Sequence, residues 1–449
     1  VQSMPAAAGG PKGLPRLLGI TDLVLLAVGT VIGSGIFLVP AVVLRQSGGS
    51  LTVALLVWVI AGVLSLLGAL TYAELGAERP ESGGLYAYMR DAFGPLPAFL
   101  YGWTTFFVIA SGSVATLSVA FASYLQTFVE LTPWQAKSVA VGMVAVIALI
   151  NVRGTRTSVG VQDWSTGIKT FAIIAMSVAL LAQGSRLSGA FAPPPPVTPS
   201  LIAGVGLAMI AVLWAYEGWQ YVTFAAGEAI NPQRTFPRAI TIGTVLLILI
   251  YVMANLGYVA ALGVEGAMQS ERVAVVAVGA AFGPSAARLI AVVILVSMFS
   301  AANGLTLTAS RLYYSMARDG VFFHRLGEVH PRFGTPAFAV LAGSLWAMLL
   351  AMTGTFEQLL TYVVFAGWIF YGLGAMSIFV FRRRSHGKPS TFCVPGYPVT
   401  PVLFVLAAAG IVLNALVTAP RQAFVGLAMV LLGIPVHQFW RRRGGTRGG

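Results

Sequence analysis

Apolar residues fill most of this chain in long runs, at about 19–46, 51–77, 95–129, 133–151, 159–182, 200–230, 237–262, 286–316, 336–353, 356–381, 399–418 and 421–440. Each run has the length of a helix crossing a bilayer, which needs about 20 apolar residues, and is far too long for a strand. The pattern therefore predicts an all-α polytopic membrane protein with twelve spans. The polar segments between the runs are short, the longest lying around Pro193 to Pro196 and near Arg318 and Arg383. No soluble catalytic domain fits between them. The segment Glu81-Ser82-Gly83-Gly84-Leu85-Tyr86-Ala87-Tyr88-Met89-Arg90 is too polar to span and reads as a short interfacial helix.

Composition agrees: 57% of residues are hydrophobic and 9% charged, against roughly 45–50% and 25% in a soluble domain. The net charge of +13 does not point to nucleic acid, because the basic residues sit in the loops between apolar runs. Nineteen fall on one side of the membrane and six on the other, with Lys169 and Arg311 inside spans. The positive-inside rule then places both termini in the cytoplasm of a multi-pass inner-membrane protein. The first 15 residues are polar and Gly/Pro/Ala-rich, and no cleavable signal peptide is expected there. The single cysteine, Cys393, allows neither an internal disulfide nor a cysteine metal cluster, and no cofactor is expected.

Two spans carry breaks. The first reads Val28-Gly29-Thr30-Val31-Ile32-Gly33-Ser34-Gly35-Ile36-Phe37, and the sixth reads Trp214-Ala215-Tyr216-Glu217-Gly218-Trp219 at corresponding depth. Interior glycines weaken a helix by about 0.5–1 kcal/mol each. Gly-interrupted segments at matching positions of two halves point to a transporter built from inverted repeats, with its site at the midplane. A helix restarting near Ser34, Gly35 and Ile36 offers free N–H groups and a positive dipole end to a carboxylate. Helices ending near Thr30, Val31, Trp214 and Ala215 leave carbonyls for an ammonium. Together, with Gly33, Tyr216, Glu217 and Gly218 around them, they describe a receptor for an amino acid zwitterion. Close packing of small residues is the alternative for Gly33 and Gly35.

Charges inside spans are costly and mark function by default. Lys169 either snorkels to the interface or stands in for a coupling sodium ion, with first-span carbonyls and Ser297 as partners. Glu217 reads first as a brace for the break, second as the partner of a cationic substrate side chain, and third as a proton carrier. Glu228 and Arg311 are either a gate pair or solvated charges. Trp214, Trp219 and Trp368 are packing residues by default, though Trp214 is placed to form a lid and Trp368 is a further gate candidate.

Several motifs carry a family resemblance. Gly29 to Phe37, Tyr72-Ala73-Glu74-Leu75-Gly76 and Pro80 to Tyr88 resemble the amino acid–polyamine–organocation superfamily. Ala215 to Trp219, Gly227-Glu228, Asn231-Pro232 and Val394-Pro395-Gly396-Tyr397-Pro398 are similar to its L-type amino acid transporter branch. The resemblance implies a leucine-transporter-type five-plus-five inverted repeat with two extra helices, working by alternating access. The repeats would occupy 17–182 and 183–381, the extra helices 382–440, with tails at 1–16 and 441–449. It implies carboxylate binding at Ser34 and Gly35, amine binding at the carbonyls of Thr30, Val31, Trp214 and Ala215, and an aromatic gate at Trp214. A lysine matching Lys169 implies sodium independence, and members are typically exchangers. Phe128 to Pro133 lacks the cysteine that bonds a heavy chain in animal members, so no such partner is expected. Glu217 departs from the glycine of large-neutral-substrate members.

The expected function is sodium-independent exchange of neutral L-amino acids. Proton-coupled symport, or exchange that also admits cationic amino acids through Glu217, is the alternative. An intramembrane serine hydrolase at Ser34 would need a base. His324, His330, His386 and His437 are not placed to supply one, and no repeated channel filter is present.

Overall fold

The computed structural model describes residues 16–81, 83–384 and 391–444. Residues 1–15 and 445–449 of the expected tails at 1–16 and 441–449, together with Ser82, His386 and Lys388, lie outside them. The elements are α1 (Ile20–Val31), α2 (Gly35–Gln46), α3 (Leu51–Glu78), α4 (Leu85–Phe93), α5 (Pro95–Leu125), α6 (Pro133–Arg153), α7 (Thr155–Gln183) and α8 (Pro199–Ala215). They continue as α9 (Pro232–Met268), α10 (Val273–Phe282), α11 (Pro284–Arg318), α12 (Ala337–Thr353), α13 (Phe356–Arg384), α14 (Val399–Thr418) and α15 (Pro420–Gly444). Proline opens six of these, at Pro95, Pro133, Pro199, Pro232, Pro284 and Pro420. Its missing N–H costs nothing in the first turn. Ser50 and Thr198 cap α3 and α8, and Thr132 with Gln135 forms a capping box on α6.

Among the described residues, ten helices are long and apolar enough to cross a membrane, and α1 with α2 forms one more span bent by 46°. With α12, an apolar helix of 17 residues, they match the twelve positions read from the sequence. That length reaches about 25 Å. Three details differ from expectation. The seventh span, α9, is 37 residues long and turns at Gly263, whose φ is 72°. A ten-residue helix, α10, follows it where only a loop was expected. The sixth span resumes after its break as a 3₁₀ segment, Trp219–Glu228, instead of an α-helix. Thr223 donates to the Gln220 carbonyl at 2.6 Å inside that segment. Such long 3₁₀ runs mark strain or a hinge.

Helix α4 does not lie exposed along an interface. Leu85 to Met89 are buried, and Tyr86 and Arg90 both donate to Asp319 at the end of α11, each at 2.8 Å. Burial, reinforced by that carboxylate, pushes the Tyr86 phenol up, so it stays a neutral donor.

Candidate functional site

In the first span the helix stops at Val31 and restarts at Gly35, leaving Ile32 to Ser34 extended or irregular. In the sixth it stops at Ala215 and turns through Gly218. Gly218 has a φ of 135°, a conformation that side chains resist. A Cβ there would also lie 2.7 Å from the Thr30 carbonyl oxygen, and one on Gly35 would lie 2.5 Å from Ala215 Cα. The breaks therefore press against each other, and glycine permits the contact. Thr30 Oγ1 donates to the Gly218 carbonyl at 3.2 Å.

Between them is a hollow of about 10 Å³ lined by Thr30, Val31, Gly33, Ser34, Gly35, Trp214 and Glu217, with Ser113, Leu117 and Leu305 opposite. The three other expected residues surround it. Ala215 backs onto Gly35, Gly218 faces Thr30, and Tyr216 is buried against Trp58 and Tyr251. The first N–H groups of α2 have no partner within their own helix. Ser34 accepts a hydrogen bond from the Trp214 indole at 3.3 Å.

The carbonyls expected to be open are partly engaged. Tyr251 donates to Ala215 O at 2.8 Å and Val31 O at 3.3 Å, tying the two breaks together, and the Glu217 N–H donates to Trp214 O at 3.0 Å. Each carbonyl keeps a second lone pair. One carboxylate oxygen of Glu217 accepts from both Gln220 and Tyr371 at 2.5 Å.

Lys169 is fully buried, so it does not snorkel. Its Nζ donates to Gly29 O at 2.7 Å, Ile32 O at 2.6 Å and Ser297 O at 3.4 Å, three acceptors for the three donors of an ammonium. Ser297 Oγ in turn donates to Ile32 O at 3.0 Å. Nearer the termini, Arg311 Nε donates to Glu228 at 2.9 Å, with the two side chains 3% and 2% exposed. Their burial removes the solvated alternative. Leu17 and Leu18 N–H both donate to Glu228 O at 2.9 Å, joining the entry of the first span to the exit of the sixth. Trp368 lies elsewhere, packed on Phe404 at 5.5 Å.

At the end of the bundle opposite the termini, a vestibule of about 610 Å³ opens among Arg45, Arg272, Glu357 and apolar neighbours. Phe356 stands on its wall and meets Trp214 edge-on at 6.3 Å.

A model of the amino acid permease family matches residues 18–435, which include both breaks, Lys169 and the Glu228–Arg311 pair. The chain belongs to the amino acid permease family. This permease is a membrane transporter, not an enzyme. It is 31% identical to the Serine/threonine exchanger SteT of Bacillus subtilis over 96% of this chain and 98% of the other. It is 32% identical to the human b(0,+)-type amino acid transporter 1 over 93% and 86%. It is 31% identical to the human Cystine/glutamate transporter over 94% and 85%.

The residues that sequence reasoning missed are Ser113, Leu117, Tyr251, Leu305, Phe356 and Tyr371. They sit in apolar spans, and neither the unbroken glycines beside Ser113, Leu305 and Tyr371 nor Glu357 beside Phe356 distinguishes them as site residues.

Proposed function

We propose that this permease exchanges neutral L-amino acids across the inner membrane by alternating access and without sodium. The observation that carries the reading is the hollow enclosed by two facing helix breaks, with N–H groups on one side and carbonyls on the other. The substrate carboxylate would take the N–H groups at Ser34 and Gly35. Its ammonium would take the free lone pairs on Thr30, Val31, Trp214 and Ala215. The hollow is smaller than any amino acid, so Trp214 must release Ser34 on binding and can then close over the substrate.

Lys169 supports sodium independence, because its ammonium bridges α1, the break and α11 where a mobile cation would otherwise be needed. Glu217, with one oxygen taken by Gln220 and Tyr371, acts as a brace for the unwound segment. Glu228 with Arg311 forms the gate toward the termini. The second break falls five spans after the first, which supports repeats at 17–182 and 183–381. The 19-to-6 split of basic residues supports cytoplasmic termini. No heavy-chain disulfide is needed, since the single cysteine, Cys393, follows α13 at the same end of the bundle as the termini.

Counterflow in proteoliposomes tests the reading. Labelled serine or alanine should accumulate only when amino acid is loaded inside, equally in sodium and potassium salts. Uptake into unloaded vesicles driven by a pH gradient would establish symport instead.

A further inference from the structure

Behind the hollow lies a second cavity, of about 20 Å³, walled by α5, α11 and α12. Its polar lining is Ser111, Thr306, Ser310 and Ser344, with Tyr313 at one side. Ser344 is 3% exposed, and its hydroxyl has no hydrogen-bond partner. An orphaned buried hydroxyl is a standing cost that a polar group entering the cavity would relieve. Ser111, Thr306 and Ser310 each donate to a backbone carbonyl, at 3.3, 2.9 and 2.9 Å, which leaves their oxygens able to accept.

Among the described residues Leu305 alone lines both cavities. It is 2% exposed, held on α11 between them. The other large apolar wall of the hollow, Leu117, packs directly against the first break, 2.8 Å from where a Gly33 Cβ would be.

We propose that Leu305 is the wall limiting side-chain length in the transported amino acid, and that the serine-lined cavity behind it is a closed annex for an uncharged, hydrogen-bonding side chain. This inference rests on the exchange reading above. No ionised group lines the annex, and Arg311, which donates to Ser310 Oγ at 3.4 Å, is already paired with Glu228, so a charged side chain would be desolvated there against a guanidinium whose charge is already balanced. A purely apolar one would leave Ser344 orphaned. With the leucine in place, the accepted side chains stop at the size of alanine, serine or threonine. Removing its branched end joins the two spaces and admits a carboxamide such as that of glutamine.

The test measures labelled serine exchange in loaded proteoliposomes, with unlabelled alanine, glutamine and glutamate as competitors. Leu305→Ala is expected to strengthen glutamine relative to alanine by about tenfold or more, the scale on which pocket size discriminates side chains. Glutamate should stay excluded. Leu305→Val should give a smaller shift in the same direction, and it remains informative if the alanine variant folds poorly. Adding Ser344→Leu, which fills the annex, should cancel the gain. An unchanged glutamine-to-alanine ratio in both Leu305 variants overturns the proposal, as does a gain that survives Ser344→Leu. Failure of wild-type vesicles to exchange serine or alanine at all would instead sink the transport reading underneath.

Discussion

A fully buried ammonium persists in a membrane span only where protein dipoles replace its water. Lys169 meets that condition through the carbonyls of Gly29, Ile32 and Ser297. Lys169→Ala would leave Gly29 O without its donor, at about 1–3 kcal/mol, and Ile32 O with the Ser297 hydroxyl alone. Exchange is expected to fall at least tenfold and not to recover in sodium, since the alanine restores neither charge nor a built cation cage. Unchanged uptake in paired sodium and potassium buffers would remove the ion-substitute role. At this scale the sequence is most readable where a residue breaks the local rule. Lys169 and Glu217 stand out because charge is rare in an apolar run, and Gly218 because a span seldom places glycine beside an acid. Tyr251 breaks no rule, yet its hydroxyl ties Val31 to Ala215.

The half-helices and the segments beside them are the units that must move. The first and sixth spans are pinned to each other near the termini by Leu17 and Leu18 on Glu228 O, and the sixth to α11 by Glu228 with Arg311. Removing one partner of a buried ion pair costs about 3–5 kcal/mol, because it leaves the other charge unpaired. Glu228→Gln should therefore lower the melting temperature and slow exchange. Arg311→Lys, which keeps the charge but loses the forked contact, should fall between it and wild type. Equal thermal melts and equal exchange rates in both variants would take the pair out of the gate. Both breaks were legible at this scale, since glycines mark them. The 3₁₀ form of Trp219–Glu228 was not, because it arises where the segment is wedged against α1, α3 and α11. Helix α10 was also missed, being too short to show as an apolar run.

Across the whole molecule the two ends are unlike. A vestibule of about 610 Å³ reaches toward Trp214 from the end opposite the termini, while the terminal end is closed by buried contacts. Cysteines placed at Ala211 or Thr361 in a Cys393→Ser background should react with a membrane-impermeant thiol reagent from the vestibule side. One at Ala226 should be protected, and mass spectrometry of the labelled protein gives the comparison. Rapid labelling at 226 with protection at 211 would reverse the assignment of open and closed ends.

Twelve spans, their order and the two breaks follow from the sequence alone, because in a bilayer apolar length dictates crossing and every unpaired backbone group must be accounted for. The size of the hollow, the engagement of its carbonyls by Tyr251 and the annex behind Leu305 were decided only by tertiary packing. These depend on which faces of spans far apart in the chain meet, and uniformly apolar helices carry almost no periodicity to say so.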